Sequence, residues 1–204
     1  MPNYLYQDDL PDHLHFEKSV AIDSETMGLN PHRDRLCVVQ ISAGDGDAHL
    51  VQLNPSNYDA PNLKKLLEDS QILKIFHFAR FDVAAFMQWL GVTTGPIYCT
   101  KIASRLARTY TDRHGLKDVT RELLGIEISK QQQSSDWGAP KLSDAQLSYA
   151  ASDVLNLHAL KEKLDTMLER EGRTLVAQSC FDFLPTRAAL DLAGWEGTDI
   201  FAHS

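Results

Sequence analysis

An α/β class is predicted for this chain by two observations. Short β-branched apolar runs alternate with helical segments through the first half, and apolar residues at helical spacing dominate the second. Ser19 to Ile22, Leu36 to Ile41 and His49 to Leu53 have strand length, and the turn-rich pieces GLNPHRD and AGDGD between them make a three-stranded meander. A helix over Asn62 to Glu68 follows, then a strand over Ile72 to Phe78, a helix from Arg80 to Leu90 that stops at Gly91, and a strand over Ile97 to Cys99. The remaining spacing predicts helices over Lys101 to Thr109, Leu116 to Leu124, Ser143 to about Glu171, and Thr174 to Leu190. A glutamine-rich loop, Lys130 to Ser135, separates two of them. No boundary interrupts the pattern, so residues 1–204 read as one domain. Residues 191–204 read as an extension, whose Trp195, Ile200 and Phe201 either anchor on a neighbouring subunit or fold back onto the chain's own core.

Composition narrows the function classes. An apolar content of 43%, with 8 prolines and 11 glycines in 204 residues, suits one sizeable core and argues against disorder. The opening MPNYLYQDDLPDHLHFEKS lacks the basic and apolar regions of a secretion signal. No stretch reaches the roughly 20 apolar residues of a membrane span, so a cytoplasmic protein without membrane attachment is expected. Cys37, Cys99 and Cys180 form no CxxC pair and read as reduced core residues rather than a disulfide framework or a structural zinc site. A net charge of -8, from 28 acidic against 20 basic side chains, counts against gripping long duplexes through lysine and arginine. A short or single-stranded nucleic acid stays compatible with that charge, provided that metal ions and a few local basic groups neutralise the phosphates at the site.

Five residues carry the chemistry. Asp23 and Glu25 stand in SVAIDSET, Asp82 in KIFHFARFD, and Tyr149 with Asp153 in LSYAASDV. Residues two apart in a strand project to one side, so Asp23 and Glu25 leave the end of their strand together. Residues four apart in a helix share a face, so Tyr149 and Asp153 also project together, and Ser143 with Gln146 has the form of a capping box that starts their helix. Taken singly, each is ambiguous: Asp23 equally suits a turn or cap, Asp82 could merely offset the positive end of its helix, and Asp153 is by itself an ordinary solvated helix acid. Taken jointly, four acids set among apolar neighbours need compensation for desolvation, and bound divalent cations supply it. An all-oxygen ligand set suits magnesium or manganese better than zinc.

The same motifs resemble those of the 3'-to-5' exonucleases that carry four metal-binding acids and a tyrosine, the DEDDy type, and among them the ribonuclease D group. AIDSET with the following MGL is similar to the first exonuclease motif, FHFARFD to the second, and YAASDV to the third; SSDWGAPKLSDAQLSYAASDVLNLHAL, with Trp137 and the capping serine, resembles the ribonuclease D pattern around the third. The similarity covers approximately residues 15 to 170 and implies a ribonuclease H-like mixed sheet flanked by helices. Two departures stand out. No room is left for the helical domains that follow the catalytic one in full-length ribonuclease D, and Phe78 occupies a position four residues before the motif's aspartate where an asparagine is common. Small size and acidity are more similar to the compact bacterial nanoRNases of the NrnC type, which cleave dinucleotides and assemble as rings.

The resemblance implies a mechanism and a site. Asp23, Glu25 and Asp153 are expected to bind one divalent ion and Asp23 with Asp82 to help hold a second, ~3.5–4 Å away as in other two-metal sites, with Tyr149 orienting or deprotonating the attacking water. The substrate is expected to be short single-stranded RNA, with DNA as the alternative, and the assembly a homo-oligomer. Thr26, Met27 and Leu29 are candidate contacts to the terminal nucleotide, Met27 and Leu29 as an apolar wedge, although Leu29 equally suits a core position. His77 reads equally as a substrate contact and as a core histidine. Lys101, Arg105 and Arg108 fall on one helix face, either a solvated face or a cationic stripe that meets a 5'-phosphate. A broader ribonuclease, a DNA exonuclease and a non-catalytic module of the same fold are the competing readings.

Overall fold

The computed structural model describes residues 3–129 and 131–203; Lys130 of the glutamine-rich loop and Ser204 of the tail lie outside them. Its sheet has six strands: β1 (Asn3–Gln7), β2 (Ser19–Thr26), β3 (Leu36–Ser42), β4 (Ala48–Gln52), β5 (Leu73–Phe76) and β6 (Ile97–Cys99), in the order β1-β4-β3-β2-β5-β6. The expected meander is present, β2 pairing with β3 and β3 with β4 antiparallel, while β1 joins β4, β5 joins β2 and β6 joins β5 in parallel. The sheet is therefore mixed. β3 and β4 are buried at every residue, the signature of strands covered on both faces.

The helices are α1 (Pro61–Glu68), α2 (Ala79–Trp89), α3 (Thr100–Ala107), α4 (Leu116–Leu124), α5 (Asp144–Leu155), α6 (Leu157–Arg170) and α7 (Thr174–Leu190). α5 lies across β1 to β4, α6 packs against β2 and β5, and α2 packs against α7. The capping box is formed: the Ser143 hydroxyl accepts from the Gln146 N–H at 3.3 Å, and the Gln146 side chain accepts from the Ser143 N–H at 3.0 Å. None of the helices is long and apolar enough to cross a membrane among the described residues.

One expectation needs correction, and two features lie beyond what the sequence pattern settled. β1, in a stretch with no apolar alternation, is a sheet edge held by aromatic packing: the rings of Tyr4 and Tyr6 stack on His49 at 5.2 and 5.9 Å, and the Tyr6 hydroxyl lies 3.1 Å from its Nδ1. The single long helix from Ser143 breaks at Asn156, whose φ of -104° and ψ of -2° end α5 and begin α6; apolar periodicity survives so small a break, so the pattern could not reveal it. The tail is tied to the body at its start. Asp191 is buried, accepts hydrogen bonds from Arg80 at 2.5 and 2.7 Å and from Arg187 at 2.6 and 3.0 Å, and further along Phe201 packs on Phe183.

Candidate active site

β2 is apolar and wholly buried from Val20 to Ile22 and then carries its polar residues out over the edge of the core. At that end its pairing with β3 slips: Glu25 faces Val38 but Thr26 faces Leu36, which leaves Cys37 unmatched and bends the strand beside the acids. α5, with its register set by the capping box, crosses β2 and presents Tyr149 and Asp153 one turn apart. Carboxylate oxygens of Asp23, Glu25 and Asp153 all lie within 4.8 Å of one another. Asp82 stands outside that tight triad, buried in α2, where it accepts a 2.7 Å hydrogen bond from the Ser24 hydroxyl; it lines the same cavity of about 620 Å³ as the other three acids.

Burial, followed by the charges of Asp82, Asp153 and Glu25, holds the Asp23 carboxyl well above the usual carboxylate range. Burial and then Asp153 and Asp82 push Glu25 up to about 9. Burial pushes Asp82 up to about 7 against the opposing hydrogen bond from Ser24. Alone, then, the protein favours protons on this cluster, and a divalent cation among these hard oxygen donors would let the acids ionise together. The residues fit the group that the motifs imply. Tyr149 is raised by burial and then by Asp153 and Glu25, so its phenol is a hydrogen-bond donor rather than a base in the metal-free protein.

Other candidates separate into those the cavity gathers and those it does not. Thr26, Met27, Leu29 and His77 all line it. Leu29 is 84% exposed, which excludes the core position, and Met27 is 50% exposed. His77 places Nδ1 2.9 Å from the Thr100 hydroxyl. The cationic stripe is corrected. α3 ends at Ala107, and Arg108, past its end, is fully buried, bonding Ser104, the Arg113 carbonyl and the Glu122 carboxylate. Arg105 is exposed but away from the cavity lining, whereas Lys101 is on it and is joined by Lys117 from the start of α4.

Sequence reasoning passed over several supporting residues. Ser24, between the two paired acids, points the other way along the strand and steadies Asp82, a role that period-two alternation beside a buried aspartate hints at. Gln146 does more than cap: its Nε2 donates to the Ser135 hydroxyl at 3.1 Å and to the Asp136 carbonyl at 3.0 Å, fixing the segment that carries Trp137. The buried Trp137 ring packs 6.0 Å from that of Tyr149. Gly138 leaves no room for a Cβ against the Met27 sulfur, and its carbonyl accepts from Arg35 at 3.2 Å, so the wedge side and the tyrosine side of the cavity are clamped together.

A mixed sheet with clustered acids at the end of its central antiparallel strand, faced by a helix bearing tyrosine and aspartate, defines a metal-dependent nuclease. Residues 8–169 match the 3'-5' exonuclease family, and the chain belongs to it. It is a 3'-5' exonuclease of the ribonuclease D and NrnC kind. It is 35% identical over 160 residues to a ribonuclease D of Gluconacetobacter diazotrophicus, a match that covers 78% of this chain and 40% of that protein. The chain thus spans about two fifths of the curated ribonuclease D it matches. Two solved structures are similar along their whole length. Brucella melitensis NrnC with bound Mg2+ shares 58% identity at a TM-score of 0.95, and Brucella melitensis NrnC bound to pGG shares 59% at 0.96, with 100% of both chains covered in each case.

Proposed function

We propose that this enzyme hydrolyses short RNA, dinucleotides foremost, from the 3' end to nucleoside 5'-monophosphates. The observation that carries the reading is the shape and charge of the cavity: at about 620 Å³ it has the size of a small-ligand pocket, with the acids on one side and Lys101 and Lys117 also on its lining. The similarity to a protein whose structure holds pGG supports the same substrate class.

Asp23, Glu25, Asp82 and Asp153 would hold two divalent ions, Mg2+ or Mn2+. When bound, these would neutralise the phosphate and make the attacking water more acidic. Tyr149 holds that water by a hydrogen bond, and the buried Trp137 behind it limits where the phenol can point. The water oxygen bonds to phosphorus and releases one proton, the P–O3' bond breaks in line, the 3'-oxygen of the penultimate ribose takes up one proton in exchange, and the terminal nucleotide departs as its 5'-monophosphate. Met27 and Leu29 close the end that receives the terminal nucleotide, and His77 lines the cavity beside it. Lys101 and Lys117, rather than the stripe with Arg105 and Arg108, take the distal phosphate. Residues 1–204 act as one domain, and the exposed Trp195 and Ile200 of the tail pack in a homo-oligomer while Phe201 stays on Phe183.

The test is a time course on 5'-labelled RNA dinucleotide, longer single-stranded RNA and matched DNA, with Mg2+ or Mn2+ and with a chelator. Rapid dinucleotide cleavage with slower attack on longer chains is expected. Stepwise shortening of longer RNA or DNA at equal or greater rates would make this a general ribonuclease D-like or DNA exonuclease.

A further inference from the structure

Phe78 is the residue whose side chain and backbone disagree. It stands immediately before α2 with φ 73° and ψ 43°, in the left-handed region that bulky side chains avoid and that asparagine, common at this place in related motifs, adopts readily. Phe78 is the N-cap residue of α2, where a phenyl ring can offer the helix no hydrogen bond. Nor is the ring a core residue, since 44% of Phe78 is exposed. Two positions show what an exposed ring does there. It lines the catalytic cavity one turn before Asp82, and the ammonium of Lys101, on the same cavity, lies 4.1 Å from its centroid. A backbone outlier beside reacting groups points to function when a more comfortable residue is available.

We infer that Phe78 is a base-stacking residue of the substrate site. One nucleobase of the bound dinucleotide lies against the exposed ring, and Lys101, held over the same ring, meets a phosphate of that nucleotide. Stacking accepts any base, because every base has a π face, so this contact contributes affinity for a short substrate without selecting its sequence. The ring also walls a smaller apolar cavity with Ile102, Cys180 and Leu184, which limits how far it can turn away from the substrate. This inference rests on the proposed short-RNA activity.

The experiment measures KM and kcat for the wild type, Phe78→Leu and Phe78→Tyr on an RNA dinucleotide and on two analogues, each with one of its bases replaced by hydrogen. Phe78→Leu should raise KM on the complete dinucleotide by about tenfold, the order of one lost stacked base, with kcat held within about twofold, and Phe78→Tyr should match the wild type. On one of the two analogues the wild type should fall to the level of Phe78→Leu, so that the effect of the substitution vanishes. Should Phe78→Leu lower the melting temperature enough to unfold, Phe78→Asn, which suits the backbone, takes its place. An equal rise in KM on the dinucleotide and both analogues, a loss confined to kcat, or no change at all would overturn the stacking role while leaving the exonuclease reading intact. No cleavage of any RNA by the wild type with either metal would overturn both.

Discussion

Removing the Ser24 hydroxyl should raise the pH at which this enzyme switches on. Ser24 and Asp82 are 7% and 2% exposed, so no water replaces the 2.7 Å hydrogen bond in Ser24→Ala. A hydrogen bond to an ionised group is worth ~1.5–3 kcal/mol and one pKa unit corresponds to ~1.4 kcal/mol. The donor stabilises only the carboxylate, so its loss favours the protonated form, and Asp82, already pushed up to about 7 by burial, should climb by about one to two units. At neutral pH and limiting metal the ionised fraction, and the rate with it, should fall about five- to fiftyfold. Initial rates from about pH 5 to 9 at limiting and at saturating Mn2+ read this directly: the acid limb moves upward at limiting metal and returns toward wild type as the cation displaces the proton. Profiles that superimpose at both metal concentrations, with the melting temperature unchanged, would refute the assignment of Ser24 as the group that keeps Asp82 ionised.

Metal-free protein should lose stability as pH rises. Glu25 and Asp82 sit at about 9 and about 7, above their ordinary values, so the stability from their protonated folded forms is full below about pH 4 and lost as pH climbs through 7 to 9; melting with EDTA should show that slope, and Mg2+ or Mn2+ should flatten it. Trp137→Leu should lower kcat by about tenfold with KM and Mn2+ affinity held, and combined with Tyr149→Phe it should add little; additive losses would mean that Trp137 does not act through the tyrosine. Asp191→Asn should cost about 2–4 kcal/mol in denaturant unfolding, because Arg80 and Arg187 both lose a buried carboxylate, and should release the tail to limited proteolysis. That carboxylate is raised by burial but lowered further by hydrogen bonds from Arg80 and Arg187, so the wild type should lose this contribution as pH falls toward the folded carboxylate's pKa, whereas Asp191→Asn should not.

The cluster of acids and tyrosine was legible because its signals are local. Asp23 with Glu25 obeys a two-residue period, Tyr149 with Asp153 a helical turn, and Ser143 with Gln146 announces where that turn begins; all three patterns survive in the folded chain. β5, α2, β6 and α4 were likewise readable within about two residues from apolar runs and their Gly or Pro boundaries. β1 and the break at Asn156 were not. The first is stabilised by rings stacked on a strand that is remote in sequence, and the second leaves the periodicity intact.

Arg108 shows the limit most plainly. Helical spacing put it on a stripe with Lys101 and Arg105, but spacing carries no information about what packs against that face, and the fully buried Arg108 instead bonds Ser104, the Arg113 carbonyl and Glu122 from α4. The amino-acid sequence by itself determined the fold class, the acids and tyrosine and the pairs in which they project, since these follow from backbone periods over a few residues. Only the tertiary structure decided which cations face the cavity, that Ser24 supports Asp82, that Trp137 backs Tyr149 and that Phe78 stands exposed in a left-handed turn. Those depend on contacts between segments far apart in the chain, where desolvation and close packing, rather than any local period, choose the partner.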